Sequence, residues 1–118
     1  MSNKKPYDLE ERTFLFAKDV RLFIKTLNYS IANNEDSKQV VRSSGSIGAN
    51  YIEANESLSK KDFLHRVKIS RKEAKETTYW LKLINETNTL ENRKTIEDLI
   101  IESVELKKIL SSIIDKSK

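Results

Sequence analysis

A chain of 118 residues is long enough to bury one core and too short for two domains of ordinary size. One proline, two glycines and no cysteine favour long helices and exclude disulfides, thiolate metal sites and cysteine catalysis, while a single histidine excludes a histidine-rich metal cluster. The formal charge of +4 is unevenly placed: Lys60 to Ile84 carries eight Lys or Arg against three Asp or Glu, and Asn85 to Lys118 carries six against seven.

The first predicted helix opens at Asp8, whose carboxylate suits an N-cap with Glu11 three residues on. Phe16, Val20, Phe23, Leu27 and Ile31 then recur at three- and four-residue steps, so the helix is expected over about 9–32. The run NNEDS, Asn33 to Ser37, is rich in turn formers and is expected to carry the first connection. A second helix over 37–55 places Val40, Ser44, Ile47, Tyr51 and Ala54 on one stripe, with Val41, Gly48 and Ile52 beside it. Ser59 followed by Asp62 marks the start of a third, over 60–86, with Phe63, Val67, Ser70, Ala74, Thr77, Leu81 and Ile84 in its seam. A fourth, over 95–116, carries Ile96, Leu99, Ser103, Leu106, Leu110 and Ile113.

Four amphipathic helices joined by short connections predict an all-α, antiparallel up-down-up-down four-helix bundle forming a single domain over 1–118, since each stripe must be buried against its neighbours. Phe14, Leu22 and Tyr29 of the first helix, Ile69, Tyr79, Trp80 and Leu83 of the third, and Ile100, Ile101, Val104, Ile109 and Ile114 of the fourth, which lie off its main stripe, exceed what one seam requires. Some broaden the intramolecular core, and the surplus favours self-association over a monomer with scattered surface hydrophobes. No run approaches the roughly 18 apolar residues of a membrane span. The opening MSNKKPYDLEERT passes into acidic residues rather than an apolar signal segment, so a cytoplasmic protein without membrane contact is expected.

Gly45 and Gly48 lie in RSSGSIGANYIEA, Arg42 to Ala54. A phosphate-binding loop would set its glycines between a strand and a helix, or end them in Lys-Ser or Lys-Thr, and neither context is present. At helical spacing they instead remove side-chain bulk so that another backbone or a large ring can approach, with Tyr51 and Trp80 as candidate rings. Arg42 or Arg71 is placed to meet Glu53, Glu73 or Glu76 across antiparallel helices, either as an interhelical or intersubunit pair or as a weak surface contact. Asn50 is either a partner for a neighbouring helix or an adjacent subunit, or a free surface amide. No Glu-x-x-His occurs, so a di-iron bundle is not expected, nor is any cofactor, and no Ser-His-Asp arrangement can be placed. A non-catalytic protein is the reading that remains.

Lys61, His65, Lys68, Lys72, Lys75, Tyr79 and Lys82 recur at alternating four- and three-residue steps, with Arg66 flanking them. One face of the third helix is therefore a positive strip. It can meet nucleic-acid phosphates with little base specificity, and Tyr79 can stack or cover apolar surface. It is equally the ordinary solvent face of an amphipathic helix, open to neutralisation by Glu97, Asp98, Glu102 and Glu105 of the fourth.

The segments RSSGSIGANYIEA and SKKDFLHRVKISRKEAKETTYWLKL, Ser59 to Leu83, resemble the bacterial four-helix bundle proteins related to those encoded in intervening sequences of 23S ribosomal RNA genes, also labelled S23 ribosomal proteins. That resemblance implies a closed bundle without cofactor, often assembled as a homopentameric ring. Similar bundles include a basic pentamer that associates with reverse transcriptase and nucleic acid. The family's signature falls on Arg42, Ser46, Ile47, Asn50, Glu53, Phe63, Glu73, Glu76 and Trp80, which suit packing and assembly better than catalysis. Two functions stay open: an oligomer binding RNA or DNA through repeated basic strips, and a self-associating adaptor whose partner is another protein.

Overall fold

The computed structural model describes residues 8–118, so Met1 to Tyr7, where the reading of the chain's opening falls, lie outside the described residues. Four helices follow one another: α1 (Leu9–Ile24), α2 (Ile31–Asn55), α3 (Lys60–Thr87) and α4 (Arg93–Lys116). Each starts where a short polar side chain satisfies a free amide of the first turn. Asp8 accepts from Glu11 N at 3.2 Å, Ser30 from Asn33 N at 3.0 Å, Ser59 from Asp62 N at 3.1 Å and Asn92 from Lys94 N at 2.9 Å.

Consecutive helices pack against one another and α1 closes the ring onto α4, while α1 and α3 stand on opposite corners. This is the all-α, four-helix bundle that the periodicity predicts. Phe16, Val20 and Phe23 from α1, Val40 and Ile47 from α2, Val67, Leu81 and Ile84 from α3, and Ile96, Leu106 and Leu110 from α4 fill the core. Full burial of each such aliphatic or aromatic side chain contributes roughly 1.5–3 kcal/mol. The last buried position of α4 is Ile114, with Ile113 only partly covered, which reverses the expected order of these two.

Small polar residues in the predicted seams are buried without loss because each hydroxyl finds an acceptor. Ser70 Oγ donates to Ile47 O at 2.7 Å, tying α3 to α2. Ser43 and Thr77 share a hydrogen bond of 2.8 Å across the same pair, and Thr78 and Ser103 one of 2.6 Å between α3 and α4.

The first connection is not at NNEDS. Helix α1 stops at Ile24 rather than near residue 32, and α2 begins at Ile31 rather than 37, so Asn33 to Ser37 are helical. After Ile24 the chain tightens: Thr26 N bonds Phe23 O at 2.9 Å and Leu27 N bonds Ile24 O at 3.1 Å. Leu27 still packs on the core from this turn, whereas Ile31 is exposed, so the apparent continuation of the apolar face past Phe23 belongs to a turn and not to a helix. Asn33 acts as a tie: its Nδ2 donates to Asn28 O at 2.9 Å and to Asn88 Oδ1 at 2.8 Å, and Asn88 Nδ2 returns a bond to Asn33 Oδ1 at 2.9 Å. The third connection is also shorter than the expected helices over 60–86 and 95–116 leave, because α3 runs to Thr87 and α4 starts at Arg93.

Candidate nucleic-acid interface

Helix α3 presents Lys61, His65, Arg66, Lys68, Lys72, Lys75, Tyr79 and Lys82 to solvent, every one of them exposed. The reason is local. Positions 67, 70, 74, 77, 81 and 84 face the core, leaving the 61-65-68-72-75-79-82 row on the opposite side of the helix. With a rise of 1.5 Å per residue the row is about 32 Å long.

The acidic residues of α4 do not neutralise it. Glu102 receives both Nε and Nη2 of Arg12 at 2.7 and 2.8 Å, a two-pronged pair that joins α4 to α1. These hydrogen bonds raise the Arg12 guanidinium further above its ordinary range, against a smaller opposing effect of burial. Asp98 binds Lys94 at 2.8 Å within its own helix and raises that ammonium, and Glu105 lies 3.6 Å from Lys108. Among the described residues, no lysine of the α3 row takes part in an ion pair.

The row has neighbours that heptad spacing on one helix cannot reveal. Thr78 meets Ser103 and Arg71 Nη1 reaches Ser111 Oγ at 3.5 Å, and these two contacts set the antiparallel register of α3 against α4. Lys107 is thereby level with Lys75. With Val104, Lys108 and Ser111 it lines a shallow depression of about 450 Å³. Lys107 thus extends the positive band from α3 onto a second helix, a placement that only the interhelical register gives.

The packing residues sort differently. Arg42 Nη1 lies 3.3 Å from Glu73 Oε1 and Nη2 lies 3.0 Å from Glu76 Oε1, so one guanidinium on α2 holds two carboxylates one turn apart on α3. The first contact is an ion pair without hydrogen-bond geometry. Arg71, the alternative partner, is directed to α4 instead. Asn50 is a cross-helix partner: it donates to Ser46 O and Oγ, both at 2.9 Å, and accepts from Arg66 Nη1 at 3.2 Å. Glu53 is exposed near the end of α2 and joins none of these pairs.

The glycines admit a helix, not a ring. The atoms nearest a methyl group built at Gly48 belong to Thr13 of α1, at 2.7 Å from Oγ1 and 3.1 Å from Cβ, and those nearest one at Gly45 belong to the Arg21 guanidinium, at 3.1 Å. Tyr51 and Trp80, the candidate rings, are not what approaches. Beside this crossing α1 and α2 leave an apolar groove of about 780 Å³, lined by Phe14, Ala17, Leu22, Val41, Ala49 and Ile52 among others. Trp80 is half-buried, with its ring centroid 5.0 Å from that of Tyr79 and the planes at 77°, and its buried Nε1 has no acceptor.

Residues 6–112 match the family model described as 23S rRNA-intervening sequence protein. The fold matches the crystal structure of a protein of unknown function from the S23 ribosomal protein family of Bacteroides thetaiotaomicron, with a TM-score of 0.78 and 35% identity over 89% of this chain and 96% of that one. No curated protein matches.

Proposed function

Because the chain belongs to the 23S rRNA-intervening sequence protein family, we propose that it works as that family's bundle would with this surface: a cytoplasmic, non-catalytic homo-oligomer, pentameric by resemblance, that binds RNA or DNA through its α3 strips. The observation carrying this reading is the α3 row itself, wholly exposed and with no lysine of it in an ion pair among the described residues, while Glu102, Asp98 and Glu105 of α4 pair elsewhere. Solvated lysines held along a rigid helix release counterions when phosphates replace them, so contact is backbone-dominated and falls steeply with salt. Repetition around an oligomer multiplies weak contacts into useful affinity.

Binding of single-stranded RNA, single-stranded DNA and duplex DNA measured across a salt series tests it. Replacing Lys68, Lys72 and Lys75 together by alanine is expected to weaken binding and to lower the slope of log affinity against log salt by about 2 to 3. Absence of binding at low salt overturns the reading.

The apolar groove between α1 and α2 favours a second function, that of an adaptor recognising another protein. Copurification with and without nuclease separates the two. Nucleic acid recovered only without nuclease supports the first, and a protein partner that survives nuclease supports the second.

A further inference from the structure

We propose that the strip selects unpaired nucleotides, with Tyr79 as the platform on which one base stacks. This rests on the reading of the α3 strip as a nucleic-acid interface. Tyr79 sits within the lysine row and is 58% exposed, the one aromatic among its cations. Its ring meets Trp80 at 5.0 Å and 77°, near-perpendicular. An edge-to-face pair covers at most one face of Tyr79, whichever ring supplies the edge, so at least one π-face stays open.

The contact with Trp80, itself half-buried against the bundle, holds that face in place, which reduces the ordering needed on binding. Lys75 stands one turn before Tyr79 and Lys82 just under one turn after it, about 6 and 4.5 Å along the helix axis. A nucleotide stacked on Tyr79 carries a phosphate on either side, and these cations flank the ring in the same way. Lys107 of α4, level with Lys75, adds a third donor to that end.

In a duplex the base faces are closed by their neighbours and only phosphates remain to be met, so Tyr79 contributes nothing there. Stacking accepts any base because each has a π-face, which gives preference for strandedness without preference for sequence.

Fluorescence anisotropy with labelled oligo(U), oligo(dT) and a duplex of matched length, using the full chain and its Tyr79→Ala and Tyr79→Phe variants, tests this. Tyr79→Ala is expected to weaken both single strands roughly 5- to 150-fold with the salt slope unchanged. Tyr79→Phe should retain the parent's affinity, and duplex binding should be the same for all three. Equal single-strand affinity in the parent and Tyr79→Ala, or an equal loss on the duplex, overturns the stacking platform while leaving the basic interface standing. Failure of the parent to bind any of the three probes at low salt removes the interface, and the platform with it. Helical circular dichroism of each variant guards against misfolding, which an exposed position should not cause.

Discussion

Two glycines three residues apart face different neighbours, and the same substitution should act on them with opposite sign. Alanine in place of glycine adds about 1 kcal/mol of helix propensity at either position. At Gly48 the new methyl would lie 2.7 Å from Thr13 Oγ1 and 3.1 Å from Thr13 Cβ, in a buried side chain whose hydroxyl is already bonded to Leu9 O at 2.8 Å and Glu10 O at 3.0 Å. Neither atom can retreat without moving α1. At Gly45 the obstacle, at 3.1 Å, is the tip of Arg21, an exposed side chain that can shift at the cost of its long bond to Val41 O at 3.3 Å. Gly48→Ala is therefore expected to destabilise by about 1–3 kcal/mol, an overpacking cost that outweighs propensity, and Gly45→Ala to be neutral or stabilising by up to about 1 kcal/mol. Denaturant unfolding of both variants reads this directly. Shifts of the same sign would show that the α1–α2 crossing yields more readily than the geometry implies. Close approach at the glycines was legible in the sequence, from their helical spacing. The partner was not, because Thr13 reads as an ordinary residue of another helix until the crossing point is known.

The helix boundaries show why periodicity served three of the starts and failed one. Asp8 and Ser59 announce α1 and α3 by a capping side chain directly before an apolar pattern, and α4 begins within two residues of its expected place. At the first connection two signals pointed the wrong way. Leu27 and Ile31 extend the spacing of α1 through a turn, and NNEDS has the composition of a loop while occupying the first turns of α2. What decides the matter is tertiary: buried Asn33 bridges to Asn28 and exchanges two amide bonds with Asn88, fastening the α1–α2 turn to the end of α3. Asn33→Ala would leave the Asn88 amide and the Asn28 carbonyl short of partners and is expected to cost about 1–3 kcal/mol. Ser37→Ala, at the end of the presumed loop and now inside a helix, should change stability by under about 0.5 kcal/mol. Thermal melts of the pair check the placement. A larger loss at Ser37 than at Asn33 would contradict it.

The two candidate surfaces lie on different helices of the bundle. The groove runs beside the α1–α2 crossing, lined from Glu10 to Lys25 on α1 and from Val41 to Ile52 on α2. Phe14, Leu22 and Ile52 remain 67%, 49% and 44% exposed along it. An apolar patch left on a bundle edge is the kind of surface that a second copy covers, or the protein partner of the adaptor reading. Since α1 stands diagonally across from α3, the proposed assembly through the α1–α2 face would leave the α3 strips uncovered. The two proposed activities would then be separable by mutation. Phe14→Glu with Ile52→Glu places charge in the groove at exposed positions, so the variant should keep its helical content while light scattering at micromolar concentration shows a monomer in place of an oligomer. Its affinity for a single-stranded oligonucleotide short enough to touch one strip should match the parent's. Affinity for a strand long enough to bridge strips should fall by at least about 100-fold, the gain that linked sites commonly supply. An oligomer that survives both substitutions would move the assembly surface away from α1 and α2, and a parent already monomeric would overturn self-association. An equal loss on short and long strands would mean that the groove itself, and not the repetition of the strip, holds the nucleic acid.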